Sequence, residues 1–152
     1  MEPFGERLEK LRAKYSNLRP DVSEKMERHI AELRSDGSVD RALKPGELAP
    51  TFVLVDQRGK WIYSAELLAR GPLIVSLYRG TWCPYCNEEI SAPANAYESI
   101  RSVGAELVAI TPESTENARG FRESNPVPFS ILVDANNDVA AGFGLRYAIV
   151  SQ

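Results

Sequence analysis

The hydrophobic positions change period near residue 44. Before that point, Phe4, Leu8, Leu11, Tyr15 and Leu18 recur at spacings of four, three, four and three, which places them on one helical stripe. Pro20 interrupts the pattern, and Asp21 with Glu24 suits the start of a second helix. Val22, Met26, Ile30 and Leu33 continue it until Asp36-Gly37. Residues 1–44 therefore predict an amphipathic helical hairpin that packs on the rest of the chain or on another subunit. His29, the only histidine, falls beside the second stripe. It reads as a partly covered, hydrogen-bonded side chain, because no other metal ligand lies near it in sequence.

From residue 45 short β-rich runs alternate with helical ones. Lys44-Pro45-Gly46 and Ala49-Pro50 mark turns, and Thr51–Val55 reads as a strand. Asp56-Gln57-Arg58-Gly59 is a turn from which Trp61–Tyr63 pairs back as the second arm of a hairpin. Ser64 is placed to cap a short helix, Ala65–Arg70, closed by Gly71. Leu73–Tyr78 shows little alternation, the pattern of a central strand covered on both faces. Residues 84–102 predict a helix with Pro93 in its middle, where a kink is expected. Ala105–Ile110 is a second buried strand, Glu116–Ser124 a helix, Phe129–Val133 a strand, and Asn137–Phe143 a short helix before Gly144. This β-α-β-α-β order predicts an α/β layered domain over 45–152 with parallel, right-handed crossovers.

Composition narrows the function classes. With 152 residues and 43% apolar content the chain has material for one core. Eighteen basic against 21 acidic side chains leave a net charge of −3, with no excess of cations to neutralise phosphates, so nucleic acid is not an expected partner. The first thirty residues hold no unbroken apolar stretch and are rich in acids, unlike a signal or transit peptide, and the longest apolar run is far too short for a membrane span. Two cysteines are too few for a secreted disulfide scaffold, so a cytoplasmic protein with reduced thiols is expected.

Those two cysteines carry the chemistry. Cys83 and Cys86 lie where the expected strand Leu73–Tyr78 gives way to the helix over 84–102, at the sheet edge where open α/β folds place functional groups. The first sulfur then sits near a helix N-terminus, whose unpaired N–H groups and dipole favour a thiolate. Two intervening residues let the second thiol reach the first, and Pro84 is tolerated in the first turn. Two thiols and one distant histidine fall short of the four ligands of structural zinc. Two inert core cysteines are the plainer alternative, but the spacing falls on the junction that redox chemistry uses, so thiol–disulfide exchange without metal or cofactor is the expectation. Around the pair, Trp82 and Tyr85 are expected to wall the site, with Trp82 alternatively packed beneath the loop. Arg79 is positioned to stabilise a thiolate, although a solvated arginine is the commoner outcome. Glu88 and Glu89 suit the first helical turn.

These residues resemble a known family. Pro45-Gly46-Glu47-Leu48-Ala49-Pro50-Thr51-Phe52, Arg70-Gly71-Pro72-Leu73-Ile74-Val75, Tyr78-Arg79-Gly80-Thr81-Trp82-Cys83-Pro84-Tyr85-Cys86, Val108-Ala109-Ile110-Thr111-Pro112-Glu113 and Phe143-Gly144-Leu145 are similar to the AhpC/TSA, peroxiredoxin-like group of thioredoxin-fold proteins. The leader ending in Arg41-Ala42-Leu43-Lys44-Pro45-Gly46 is similar to that of one bacterial subgroup, and Cys83-Pro84-Tyr85-Cys86 also matches the glutaredoxin tetrapeptide.

The resemblance implies a thioredoxin-like fold, a mostly parallel sheet flanked by helices. It implies a thiol that attacks a hydroperoxide or a disulfide, an internal Cys83–Cys86 disulfide, and a thioredoxin- or glutathione-type thiol that resets it. Two alignments name different nucleophiles. The peroxiredoxin pattern Pro-x-x-x-Thr-x-x-Cys falls on Cys86, which is then the expected nucleophile for peroxide. The thioredoxin-like reductases use the first cysteine, here Cys83, which is the expected nucleophile for disulfide exchange and is expected to be the more exposed of the two. Thr81 is one residue too close to Cys83 to be the peroxide-holding threonine, and Arg146 is the nearest counterpart of the family's later arginine. Members of the group continue past Phe143-Gly144-Leu145 into further strands and a helix, so 45–152 reads as a C-terminally shortened domain with an open sheet edge that a second subunit, in a homodimer, would cover. The expected activity is hydroperoxide reduction. The alternatives are a dithiol–disulfide reductase and a truncated, non-catalytic assembly module.

Overall fold

A computed structural model describes residues 2–148, so the last four positions of the expected 45–152 domain lie outside the described residues. The described residues divide into two compact units, one of 2–50 together with 140–148, the other Thr51–Val139.

In the first unit, α1 (Phe4–Leu18) and α2 (Pro20–Ser35) form the expected hairpin, and a short α3 (Ser38–Arg41) follows. Pro20 opens α2, where its missing N–H costs nothing. Arg12 pairs with Glu27 at 2.6 Å and Ser16 meets Ser23 at 3.0 Å across the hairpin. No residue of α1 or α2 is buried, and Phe4, Leu18, Val22 and Ile30 of the two stripes are exposed. The returning chain is tied in by a bond from the Leu43 N–H to the Phe143 carbonyl. Gly144 has φ +71°, and a Cβ there would fall 1.8 Å from the Arg41 carbonyl oxygen, so this turn requires glycine. His29 is half-buried as expected, with its ring 5.9 Å from Tyr147 and Nδ1 3.8 Å from Glu32.

The second unit is built on a five-stranded sheet. β1 (Val53–Asp56) and β2 (Trp61–Tyr63) form the predicted antiparallel hairpin, Val55 opposite Trp61. Its turn is fastened by the Asp56 carboxylate, which accepts from the N–H groups of Arg58 and Lys60 and from the Arg58 guanidinium. α4 (Ser64–Leu68) follows. Ser64 does not cap it: Ser64 is the helix's first residue, and its hydroxyl accepts from the Phe52 N–H at 2.8 Å, so the residue before β1 claims the oxygen that the helix start was expected to use.

β3 (Leu73–Leu77), α5 (Pro84–Ser102), β4 (Glu106–Thr111), α6 (Thr115–Ser124), β5 (Ser130–Val133) and α7 (Asp138–Gly142) complete the chain order, with Pro93 inside α5. The Ser114 hydroxyl caps α6 by accepting from Asn117 N–H. β3, β4 and β5 pair in parallel, and β1 joins β5 antiparallel, giving the order β2-β1-β5-β4-β3.

The core fills both faces of β4 and β5, as the two-residue period of a strand requires. Leu107, Ala109 and Ile131 join Ile90 of α5 and Ala118 of α6 in one cluster, and Val108, Ile110 and Leu132 join Phe52 and Leu67 in the other. β3 corrects the sequence expectation. It is an edge strand bonded to β4 alone among the described residues, and Ile74 is 43% exposed. An apolar run reports that strand faces meet hydrophobic neighbours, as Leu73, Val75 and Leu77 do here, but not whether both hydrogen-bonding edges are paired.

Candidate active site

The loop after β3 carries the chain to the start of α5 and holds the dithiol there. Cys83 is the N-cap residue of α5, in extended conformation (φ −96°, ψ 112°), and Pro84 occupies the first turn as expected. The Cys83 N–H donates to the Gly80 carbonyl at 3.1 Å, and its own carbonyl accepts from Asn87 N–H at 3.1 Å. Both cysteines are reduced, and both belong to the core cluster of Tyr78, Ile90, Leu107 and Phe129. Cys83 was expected to be the more exposed. It is 2% exposed and Cys86 6%, because the N-cap tucks the first sulfur against the core with Arg79 beside it.

Arg79 overturns its own expectation. It is half-buried rather than solvated, and its Nη2 donates to Cys83 Sγ at 3.1 Å. The two thiols consequently titrate in opposite directions. The Cys86 thiol and backbone N–H donate to Cys83 Sγ, and with the Arg79 guanidinium they outweigh burial and bring Cys83 down to about 5. Cys86 is pushed up, because its proton is held by the bond to Cys83, because it is buried, and because its charge would face that of Cys83.

Trp82 is 60% exposed, which rules out packing beneath the loop; its ring lies over the Arg79 guanidinium, 4.9 Å from centroid to Cζ. Tyr85 is half-buried and packs on the core cluster. Thr81 is occupied elsewhere, its N–H and hydroxyl donating to Glu113 at 2.9 and 3.0 Å, and its carbonyl accepts from the Asn87 amide at 3.1 Å. Glu88 and Glu89 are not in the first turn, since α5 already begins at Pro84. The Glu89 carboxyl is shifted up by desolvation and by the charge on Cys83, although the residue as a whole is exposed. Arg146 is exposed and belongs to the other unit. Among the described residues no cluster of three or more His, Cys, Asp or Glu side chains is arranged to hold a metal, and no helix is long and apolar enough to cross a membrane.

Sequence reasoning missed Glu113 and Asn87 as site residues. Both hold the loop that presents Cys83, and Glu113 stands 32 positions from Thr81, a distance that only the β3–β4 pairing closes.

A reduced dithiol at the strand-to-helix junction of this sheet defines a thioredoxin-fold thiol protein. The AhpC/TSA family profile matches residues 45–149, and the chain belongs to that family. Peroxiredoxin Q of Sedum lineare, named as chloroplastic, is 30% identical over 115 residues, 76% of this chain and 61% of that protein. The thiol-disulfide oxidoreductase ResA of Bacillus subtilis is 34% identical over 99 residues, 64% of this chain and 54% of ResA. Among solved structures, peroxidoxin BcpB from Mycobacterium tuberculosis superposes with a TM-score of 0.67 at 27% identity, covering 71% of this chain and 70% of that one. The chain spans between half and about three-fifths of the length of these curated relatives.

Proposed function

We propose that the chain is a thiol peroxidase in which Cys83 attacks the hydroperoxide. The bond from Arg79 to Cys83 Sγ carries this reading, because it marks Cys83 as the ionised sulfur at neutral pH. The Cys83 thiolate attacks one peroxide oxygen, the O–O bond breaks, and the alcohol or water leaves with a proton while Cys83 becomes a sulfenic acid. Cys86 then attacks that sulfur, water leaves, and the internal disulfide forms. Two equivalents of an external thiol, of the thioredoxin or glutathione type, return both cysteines to the dithiol. The burial of Cys83 supports a small oxidant over a bulky protein disulfide. The likeness to peroxiredoxin Q supports the same substrate class. A dithiol that must be re-reduced each turnover supports a reducing compartment, the cytoplasm in our reading. The exposed apolar positions Phe4, Leu18, Val22 and Ile30 support a homodimer.

The likeness to ResA favours a second reading, dithiol–disulfide reduction starting from the same Cys83 thiolate. One experiment separates the readings: stopped-flow reaction of the reduced protein, Cys83→Ser and Cys86→Ser with hydrogen peroxide, an organic hydroperoxide and a disulfide. Wild type and Cys86→Ser are expected to consume one equivalent of peroxide, with the sulfenic acid of Cys86→Ser trapped by dimedone, and Cys83→Ser to consume none. Peroxide reaction surviving in Cys83→Ser and lost in Cys86→Ser moves the nucleophile to Cys86. Reaction with the disulfide alone selects the reductase, and no reaction above that of free cysteine leaves a non-catalytic assembly module.

A further inference from the structure

We propose that Trp82 is a positioning residue for the Cys83 thiolate, acting through Arg79. The proposal rests on the thiol chemistry assigned to Cys83 above and adds a residue that does not touch the sulfur. Three contacts form a chain. The Trp82 ring lies 4.9 Å from the Arg79 guanidinium carbon, and Arg79 Nη2 lies 3.1 Å from Cys83 Sγ. The Nε1 edge of the indole also lies against Gly80, where a Cβ would fall 2.4 Å from Trp82 Nε1, so the loop leaves that position bare where the ring lies. The indole is thus in contact with both a glycine and a cation.

Burial does not explain a tryptophan here, because the side chain is 60% exposed. Its contribution is directional. An arginine on a long flexible stem samples many rotamers, and a π face above the guanidinium plane restricts it to those that keep Nη2 on the sulfur. The groups facing Cys83 are Arg79 from the loop and Cys86 and Glu89 from α5, with Tyr78 and Glu113 near Cys86 and its partners. Substitution at position 82 removes none of them.

The test is the thiolate absorbance of the reduced protein titrated with acid, in a Cys86→Ser background so that one thiol reports. Trp82→Leu is expected to raise the Cys83 midpoint by about half a pH unit, the size of a partly exposed cation–π contact. Trp82→Phe, which keeps a weaker π face, is expected to raise it less. In an Arg79→Ala background, Trp82→Leu is expected to add nothing. An unchanged midpoint in Trp82→Leu, or an equal shift with and without Arg79, overturns the proposal. Should Trp82→Leu fail to fold, ring-fluorinated tryptophan keeps the shape and weakens the π face; the midpoint must then rise, or the proposal falls. Because the readout is ionisation, a protein that ignores peroxide yet shows the coupled shift loses the peroxidase reading and keeps this one.

Discussion

At the scale of the residue, the site turns on how two neighbouring thiols are made unequal. Cys83 accepts from the Cys86 thiol, from a helix N-terminal N–H and from Arg79, while Cys86 donates and stays protonated. Each donor favours the charged form of Cys83, so removing one must raise its midpoint. Arg79→Ala is expected to shift the acid midpoint of iodoacetamide alkylation upward from about 5 by about one pH unit, the lower end of what an adjacent opposite charge contributes. Alkylation at pH 5 slows the most, and at pH 8 it stays nearly unchanged because Cys83 remains ionised there. A midpoint that does not move would show that helix and Cys86 alone set the thiolate. The same geometry explains why sequence places the pair at a helix start but does not foresee the contact from Arg79. Cys83 and Cys86 are legible from spacing and from the strand-to-helix junction. Whether Arg79 turns to solvent or to sulfur depends on the path of a short loop, which residue types alone do not determine.

At the scale of the element, that loop is a suspended segment between β3 and α5, and its anchor comes from beyond β4. Glu113 takes both the N–H and the hydroxyl of Thr81, and Asn87 holds the Thr81 carbonyl from the first turn of α5. Two half-buried bonds to a carboxylate make Glu113→Ala expected to cost about 2 kcal/mol of stability. The peroxide reaction proposed for Cys83 should slow as well, since the loop carries Arg79, and Glu113→Gln should recover part of both losses. Urea denaturation and single-turnover kinetics check the pair of effects, and full activity at reduced stability would detach the clamp from the site. The anchor is not legible from local sequence because its partners are 32 residues apart. Strands and helices were legible because their patterns differ: β4 is a short continuous apolar run whose residues fill both core clusters, and α1 and α2 repeat at helical spacing. The sheet order was not, and β3 reads as central because its side chains are apolar, although among the described residues it pairs with β4 alone.

At the scale of the molecule, the low Cys83 midpoint couples the redox state to the stability of the fold. In the reduced folded protein Cys83 ionises near pH 5, whereas in the unfolded chain it ionises near the ordinary thiol value of about 8.5. Between these values the unfolded state binds the extra proton, so stability rises with pH; the contribution is complete above the unfolded value and lost as pH falls through about 5. Cys86 is shifted the other way and stays protonated when folded, so it opposes this trend only where the unfolded thiol ionises, above about pH 8. Oxidation removes both titrations. What the disulfide contributes in exchange, a restriction of a very short loop, does not depend on proton concentration. The difference in melting temperature, reduced minus oxidised, is therefore expected to increase steadily from pH 5 to pH 8, whatever its sign at the starting point. Scanning calorimetry of the two forms across that range checks it, with Cys83→Ser as the reference that lacks the slope. A difference that is flat, or that grows on acidification, means that Cys83 is not the sulfur held ionised by the fold.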